Sequence, residues 1–198
     1  YHRLTPFSTR ARQVIRDIYQ DLSRTVPISG LLFHDDVTLS DYEDSSPDAL
    51  ATYKDWGLPA SLATIRDDDD LLGRWTILKI HWLDNFAKEL ANVVRQEQPE
   101  LKTARNMYAQ VVLNPRSETW YSQALQNSLA SYDFTAIMAM PYMEQAADPT
   151  AFYEALVDKV KAVPGAMNRV VFELQATNWR NNQPVPSTEM ATTITTLY

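Results

Sequence analysis

The run Gly30-Leu31-Leu32-Phe33-His34-Asp35-Asp36 passes without a break from a short uncharged stretch to one imidazole and two carboxyl groups. A buried parallel strand reads as a continuous apolar run, and in folds that alternate strands with helices the chemistry collects where the strands end. Asp35 and Asp36 are therefore the first residues expected to react. A carboxyl crowded by a second carboxylate, in a cleft sheltered by aromatic rings, keeps its proton to higher pH and can act as a general acid. Adjacent strand residues point to opposite faces, so both reach one ligand only where the strand has become loop. One then acts directly and the other orients it; Asp36 is the favoured acid, and the reverse assignment stays open. His34 with two carboxylates is also the beginning of a metal set. His2 and His81 have no helical or hairpin spacing to it, so neither a metal nor another cofactor is expected.

Several elements must position these groups. Ser8 can cap a helix whose apolar positions Val14, Ile15, Ile18 and Leu22 recur at helical spacing, and Pro27 and Gly30 punctuate the entry to the strand. Ser46-Pro47 opens a short helix that Gly57 and Pro59 close. A longer helix carries Leu71, Trp75, Leu78, Trp82, Phe86, Leu90 and Val93 and stops before Pro99, with Trp75 and Trp82 read as core. Then come a strand near 103–112, a helix over 117–129, a strand near 135–140, a helix from Asp148-Pro149 to Val163, a strand over 169–175 and a helix from Ser187. This rhythm implies right-handed βαβ units and a parallel sheet, hence the α/β class. About four strand-helix units fit a small doubly wound sheet or part of a (β/α) TIM-type barrel, and a whole barrel needs about 250 residues. Residues 1–198 read as a single domain, a partial barrel that opens and stops on helices.

At the C-terminal strand ends the alignment gathers His34, Asp35 and Asp36; Arg105, Asn106 and Tyr108; Tyr142 and Glu144; and Glu173, Gln175, Asn178 and Trp179. Carboxylates mixed with Tyr and Trp suit sugar recognition, because aromatic faces pack on pyranose C–H groups while carboxylates and amides take the hydroxyls. Trp179, in a polar loop, and Trp120, in the first turn of a helix, are the aromatics expected to be exposed. Glycoside hydrolysis usually employs two carboxyl groups, about 5 to 5.5 Å apart for retention and about 6.5 to 9.5 Å for inversion.

The composition narrows the partners. The net charge of −7 lacks the clustered Lys and Arg that phosphate neutralisation requires, so no nucleic acid is expected. From Asp35 to Asp70 there are 11 acidic residues against Lys54 and Arg66, a net −9, while the remainder carries +2. That field would concentrate a cationic ligand near the first strand end, although the run Asp67–Asp70 can equally be solvated surface. Four glycines and no Gly-x-Gly-x-x-Gly or Walker sequence leave nucleotide binding without support. Zero cysteines exclude thiol chemistry and disulfides, no stretch has the length and apolarity of a membrane span, and the first residues lack the regions of a signal peptide.

Phe33-His34-Asp35-Asp36, then Leu39-Ser40-Asp41-Tyr42-Glu43-Asp44, Lys102-Thr103-Ala104-Arg105-Asn106, Ala136-Ile137-Met138-Ala139-Met140-Pro141-Tyr142 and Glu173-Leu174-Gln175-Ala176 with Asn178-Trp179 resemble, in order and over nearly the whole chain, one known family. It is the family of C-terminal glycoside hydrolase domains of PgaB type, which process the biofilm polymer poly-β-1,6-N-acetyl-D-glucosamine. The resemblance implies a (β/α) barrel that binds and cleaves the partially deacetylated polymer, endo-acting, in the periplasm, associated with the outer membrane and its export machinery. It also implies a deacetylase domain earlier in the full-length protein, and barrel strands before and after this chain. By motif, Asp35 and Asp36 are the acidic centre with Asp41 close by, and Tyr1, Trp120 and Trp179 line the groove; His34, Arg105, Asn106, Tyr142 and Glu173 complete the expected binding set. The acidic segment would then meet glucosamine ammonium groups. With a single acidic Asp, an N-acetyl group of the substrate could itself attack the anomeric carbon, with Glu173 as the rival nucleophile or base. The alternatives are a binding module that guides the polymer without cutting it, and a metal-dependent hydrolase.

Overall fold

The structure, a computed structural model, describes residues 4–198. Tyr1 lies outside them. The element order is α1 (Thr9–Thr25), β1 (Gly30–Phe33), α2 (Pro47–Asp55), α3 (Leu62–Arg66), α4 (Asp69–Arg95), β2 (Lys102–Tyr108), α5 (Ala109–Leu113), α6 (Glu118–Tyr121), α7 (Leu125–Ser131), β3 (Phe134–Ala139), α8 (Pro149–Lys161), β4 (Val170–Leu174), a small hairpin β5 (Thr177–Asn178) and β6 (Gln183–Pro184), and α9 (Ser187–Leu197).

The four long strands pair in parallel in the order β1-β2-β3-β4. A sheet whose order never reverses, joined by right-handed crossovers, puts every helix on one side; that is the arrangement of a barrel segment and not of a doubly wound sheet. The register agrees. Phe33, Arg105, Thr135 and Val170 form one row and Met107, Ile137 and Phe172 the next, all buried on the helix side. Leu32, Ala104 and Phe134, then Asn106, Ala136 and Val171, then Tyr108, Met138 and Glu173 form rows on the other, concave face. The main core lies between the sheet and α5, α7, α8 and α9, around Met107, Ile137, Leu156, Val160 and Phe172. A second core of Phe7, Tyr53, Ile65, Trp75 and Leu83 holds α2 and α3 against α4.

Local chemistry explains the helix starts. Ser46, Asp68 and Asp148 each accept a backbone N–H of the first turn through their side chains, with Pro47 and Pro149 at the first helical position. Asp68 caps the 27-residue α4, and Asp69 and Asp70 stand in its first turn, where the helix dipole favours negative charge. This part of the acidic run thus serves a helix end.

The structure departs from the sequence expectation at five places. The face of α1 with Val14, Ile18 and Leu22 is exposed; Ala11, Ile15 and Tyr19 turn inward instead. β1 is buried on one face only, for Leu32 is exposed on the concave side. β2 stops at Tyr108 and 109–113 is helical, because a run such as Val111-Val112-Leu113 has no period that separates strand from helix. The expected helix over 117–129 is broken at Ser122, which takes a left-handed conformation (φ 48°) between α6 and α7. The hairpin β5–β6 was not expected.

Candidate active site

β1 ends at Phe33, and the chain runs as loop from His34 to Ser46 before α2 begins. Beside a few bonds within the loop, such as the Thr38 N–H to the Asp36 carbonyl (2.8 Å), most of its carbonyls are held by side chains from elsewhere. Arg105 of β2 donates through Nη1 to the carbonyls of Phe33 (3.3 Å) and His34 (2.6 Å) and through Nη2 to that of Val37 (2.5 Å). Gln123 Nε2 donates to the Asp35 carbonyl (3.3 Å) while its Oε1 accepts from the Tyr108 N–H (3.2 Å), tying the ends of β1 and β2 together. The break after α6 brings Ser122 Oγ to the Leu39 carbonyl (2.6 Å). Lys79 of α4 donates to the carbonyls of Ser40 (2.6 Å) and Glu43 (3.1 Å), and the Tyr53 hydroxyl of α2 to that of Asp44 (3.0 Å). With its carbonyls engaged inward, the loop presents side chains outward.

The two central carboxyl groups end in different environments. Asp35 keeps 10% of its side chain exposed and lies 2.7 Å from His34 Nδ1, whereas Asp36 keeps 77% and lies 3.7 Å from the same nitrogen. Beside Asp36 opens a groove of about 800 Å³, with Glu43 and Asp44 also at its wall and Ile15, Phe33 and Phe86 in its apolar part. Asp41 pairs with Arg66 at 3.5 Å, and the Arg66 guanidinium also stacks 3.6 Å from the ring centre of the exposed Tyr42. Among the described residues, His34, Asp35 and Asp36 are also the group with metal-ligating atoms close enough to share an ion, all within 4.8 Å of one another.

On the concave face Asn106 Nδ2 donates to Glu173 Oε2 at 2.5 Å. The contact crosses β3, and it is possible because the residue paired with Asn106 there is Ala136, whose side chain leaves the space open. Tyr108, two residues further along β2, stacks on Tyr121 with ring centres 4.4 Å apart. Burial and the neighbouring Asp35 push the Tyr108 hydroxyl pKa well up, so it stays a donor across the neutral range. Tyr121 in turn stands beside Glu144, whose buried Oε1 has no hydrogen-bond partner and whose pKa is raised by burial. Tyr108 and Glu144 extend the site beyond the central set; the signal for each was its place at a strand end. The Tyr142 hydroxyl donates to Glu189 of α9 (2.5 Å), and its pKa is pushed up to about 12 chiefly by that contact. Trp120 on α6 and Trp179 in the turn between β5 and β6 are 47% and 57% exposed.

Arg105 requires a correction. Read from the sequence as a ligand for substrate, it is buried on the helix side of β2, since it alternates with Asn106 and adjacent strand residues cannot share a face. Its three carbonyl contacts make it the anchor of the loop.

A family profile described as hypothetical glycosyl hydrolase family 13 (GHL13) matches residues 1–198. The chain belongs to that family. The GHL13 chain is similar to a solved structure of the PgaB (BpsB) glycoside hydrolase domain from Bordetella bronchiseptica, with a TM-score of 0.94 and 46% identity, covering 98% of this chain and 56% of that one. It is also 41% identical over 197 residues to proteins from two strains of Escherichia coli, each named poly-beta-1,6-N-acetyl-D-glucosamine N-deacetylase. That match takes in 96% of this chain and 29% of theirs, so the GHL13 chain spans less than a third of the curated relatives' length.

Proposed function

We propose that this glycosyl hydrolase family member binds and cleaves partially deacetylated poly-β-1,6-N-acetyl-D-glucosamine within the chain, in the course of exporting a biofilm polysaccharide. The observation that carries the reading is the division of labour between consecutive carboxyl groups: Asp35 is withdrawn against His34, while Asp36 stands free at the wall of an acidic groove. Asp36 is the acid that protonates the glycosidic oxygen, and Asp35 fixes the imidazole beside it. Asp41, held by Arg66, faces the same loop surface. Glu43 and Asp44 attract the ammonium groups that deacetylation exposes, and Trp120 and Trp179 take the pyranose faces.

Glu173, the rival nucleophile or base, has one carboxylate oxygen committed to Asn106. This favours a route in which an acetylated unit supplies its own N-acetyl oxygen as nucleophile while neighbouring glucosamines occupy the acidic wall. The names of the relatives support the polymer as substrate, and their greater length leaves room for a deacetylase region in the same polypeptide; a periplasmic setting beside outer-membrane export machinery is part of the proposal itself.

The experiment is mass spectrometry of partially deacetylated and fully acetylated polymer after incubation with the protein and with Asp35→Asn and Asp36→Asn. Shorter fragments from the deacetylated polymer alone, lost in Asp36→Asn while binding persists, are the expected result. Binding without fragments from the unaltered protein would replace the hydrolase by a guiding module, the reading that the exposed tryptophans alone would support. Activity lost on chelation would move the chemistry to a metal at His34, Asp35 and Asp36.

A further inference from the structure

Helix α4 turns Trp75, Thr76, Lys79, Ile80 and Leu83 toward the interior, and Lys79 is completely buried there, 0% exposed, at a position where helical spacing calls for an apolar residue. An ammonium group out of water costs several kcal/mol unless its protons are satisfied. Here three directions are filled: the Ser40 carbonyl at 2.6 Å, the Glu43 carbonyl at 3.1 Å and the face of Trp75, 3.6 Å from Nζ to the ring centre. Both carbonyls belong to one turn, which also closes on itself. The Glu43 N–H donates to the Ser40 carbonyl (3.1 Å) and the Ser40 N–H to Glu43 Oε2 (3.0 Å). The two residues inside that turn are Asp41 and Tyr42, with their side chains on Arg66.

We propose that Lys79 is a positioning residue for the site: its buried ammonium hangs the Ser40–Glu43 turn on helix α4 and thereby sets where Asp41 and Tyr42 stand. The consequence for catalysis rests on the glycosidase reading above, whereas the positioning itself does not.

The charged and titratable groups around Nζ are Asp41, Glu43 and Asp44 on the loop, Arg66 on α3, which shares Asp41, and Tyr53 on α2, which holds Asp44. Burial lowers the Lys79 pKa more than Asp41 and Glu43 raise it, from the ordinary 10.5 to about 7. Above that pH the amine keeps two N–H donors, enough for both carbonyls, but loses the third and its charge, and a charge-assisted hydrogen bond is roughly twice as strong as a neutral one. The turn therefore loosens as pH rises through about 7. The contribution of Lys79 to global stability moves the other way. Between about 7 and 10.5 the unfolded chain holds a proton that the folded chain has released, so the Lys79 contribution to stability increases across that window. A loop that loosens while the Lys79 contribution to stability grows is distinct from the onset of alkaline unfolding.

The test is an NMR titration of the intact protein labelled with [13C]lysine and [15N]tyrosine, from pH 5.5 to 9.5. The Lys79 side chain and the Tyr42 amide are expected to titrate together with a midpoint near 7. In Lys79→Arg, which stays charged throughout, the Tyr42 step should vanish. In Glu43→Gln, which removes one carboxylate and leaves Lys79 in place, both midpoints should fall together. A Tyr42 step that persists in Lys79→Arg, or a Lys79 step that leaves Tyr42 unmoved in the unaltered protein, overturns the assignment. In polymer cleavage, the alkaline limb of kcat should follow the same midpoint with KM unchanged. A protein that shows the coupled NMR steps but cuts no polymer supports the role of Lys79 and refutes the hydrolase reading instead.

Discussion

Asp35 and Asp36 are neighbours in sequence with opposite access to solvent, and that difference decides which can meet a substrate. Replacing Asp36 by Asn removes the proton without changing the shape, so cleavage should fall by about 10² to 10⁴, the range for loss of a general acid, while polymer affinity stays within about twofold. Glu173 offers the complementary check. If the substrate's own acetamide is the nucleophile, Glu173→Gln should lower cleavage less than about tenfold, and a trapped glycosyl adduct should not be detectable by intact-mass analysis. A covalent adduct on Glu173 would establish the two-carboxylate route.

At the level of elements, the site is a loop held by its surroundings. Arg105→Lys keeps the charge but loses the planar fork, leaving at least one of three carbonyls without its donor. It should cost about 1.5–3 kcal/mol of stability by urea unfolding and lower kcat with little change in KM. Asp68→Ala, at the cap of α4, should cost about 1 kcal/mol and leave cleavage per folded molecule unchanged, separating the helix-end acids from the groove acids. The strands and the capped helix starts were legible because buried parallel strands are apolar runs and Ser-Pro or Asp-Pro pairs have a definite physical use. The direction of Arg105 was less so: a place at a strand end says where a residue is along the strand, while its face follows only once the register is known. Ser122 in its left-handed conformation and Lys79 beneath the turn left no mark, because a polar residue in an amphipathic helix reads as surface until the contact across 39 residues is seen.

For the molecule as a whole, the acidity is segregated: a net −9 from Asp35 to Asp70 against +2 elsewhere. Raising ionic strength from about 0.1 M to 1 M shortens the screening length from about 10 Å to about 3 Å. Affinity for deacetylated polymer should therefore fall steeply with salt in isothermal titration, and affinity for fully acetylated polymer should barely change. The way the loop is held also bears on how the chain folds. Apart from Tyr53, its anchoring donors lie 36 to 88 residues further along the chain. Contacts that distant require long loops to close, and they form slowly. Until β1, α4, β2 and the segment after α6 have all docked, the carbonyls of His34 to Glu43 lack most of their donors. The site is thus complete only once those elements have docked, and Asp36 presented at its proper place marks a chain folded at least as far as Gln123.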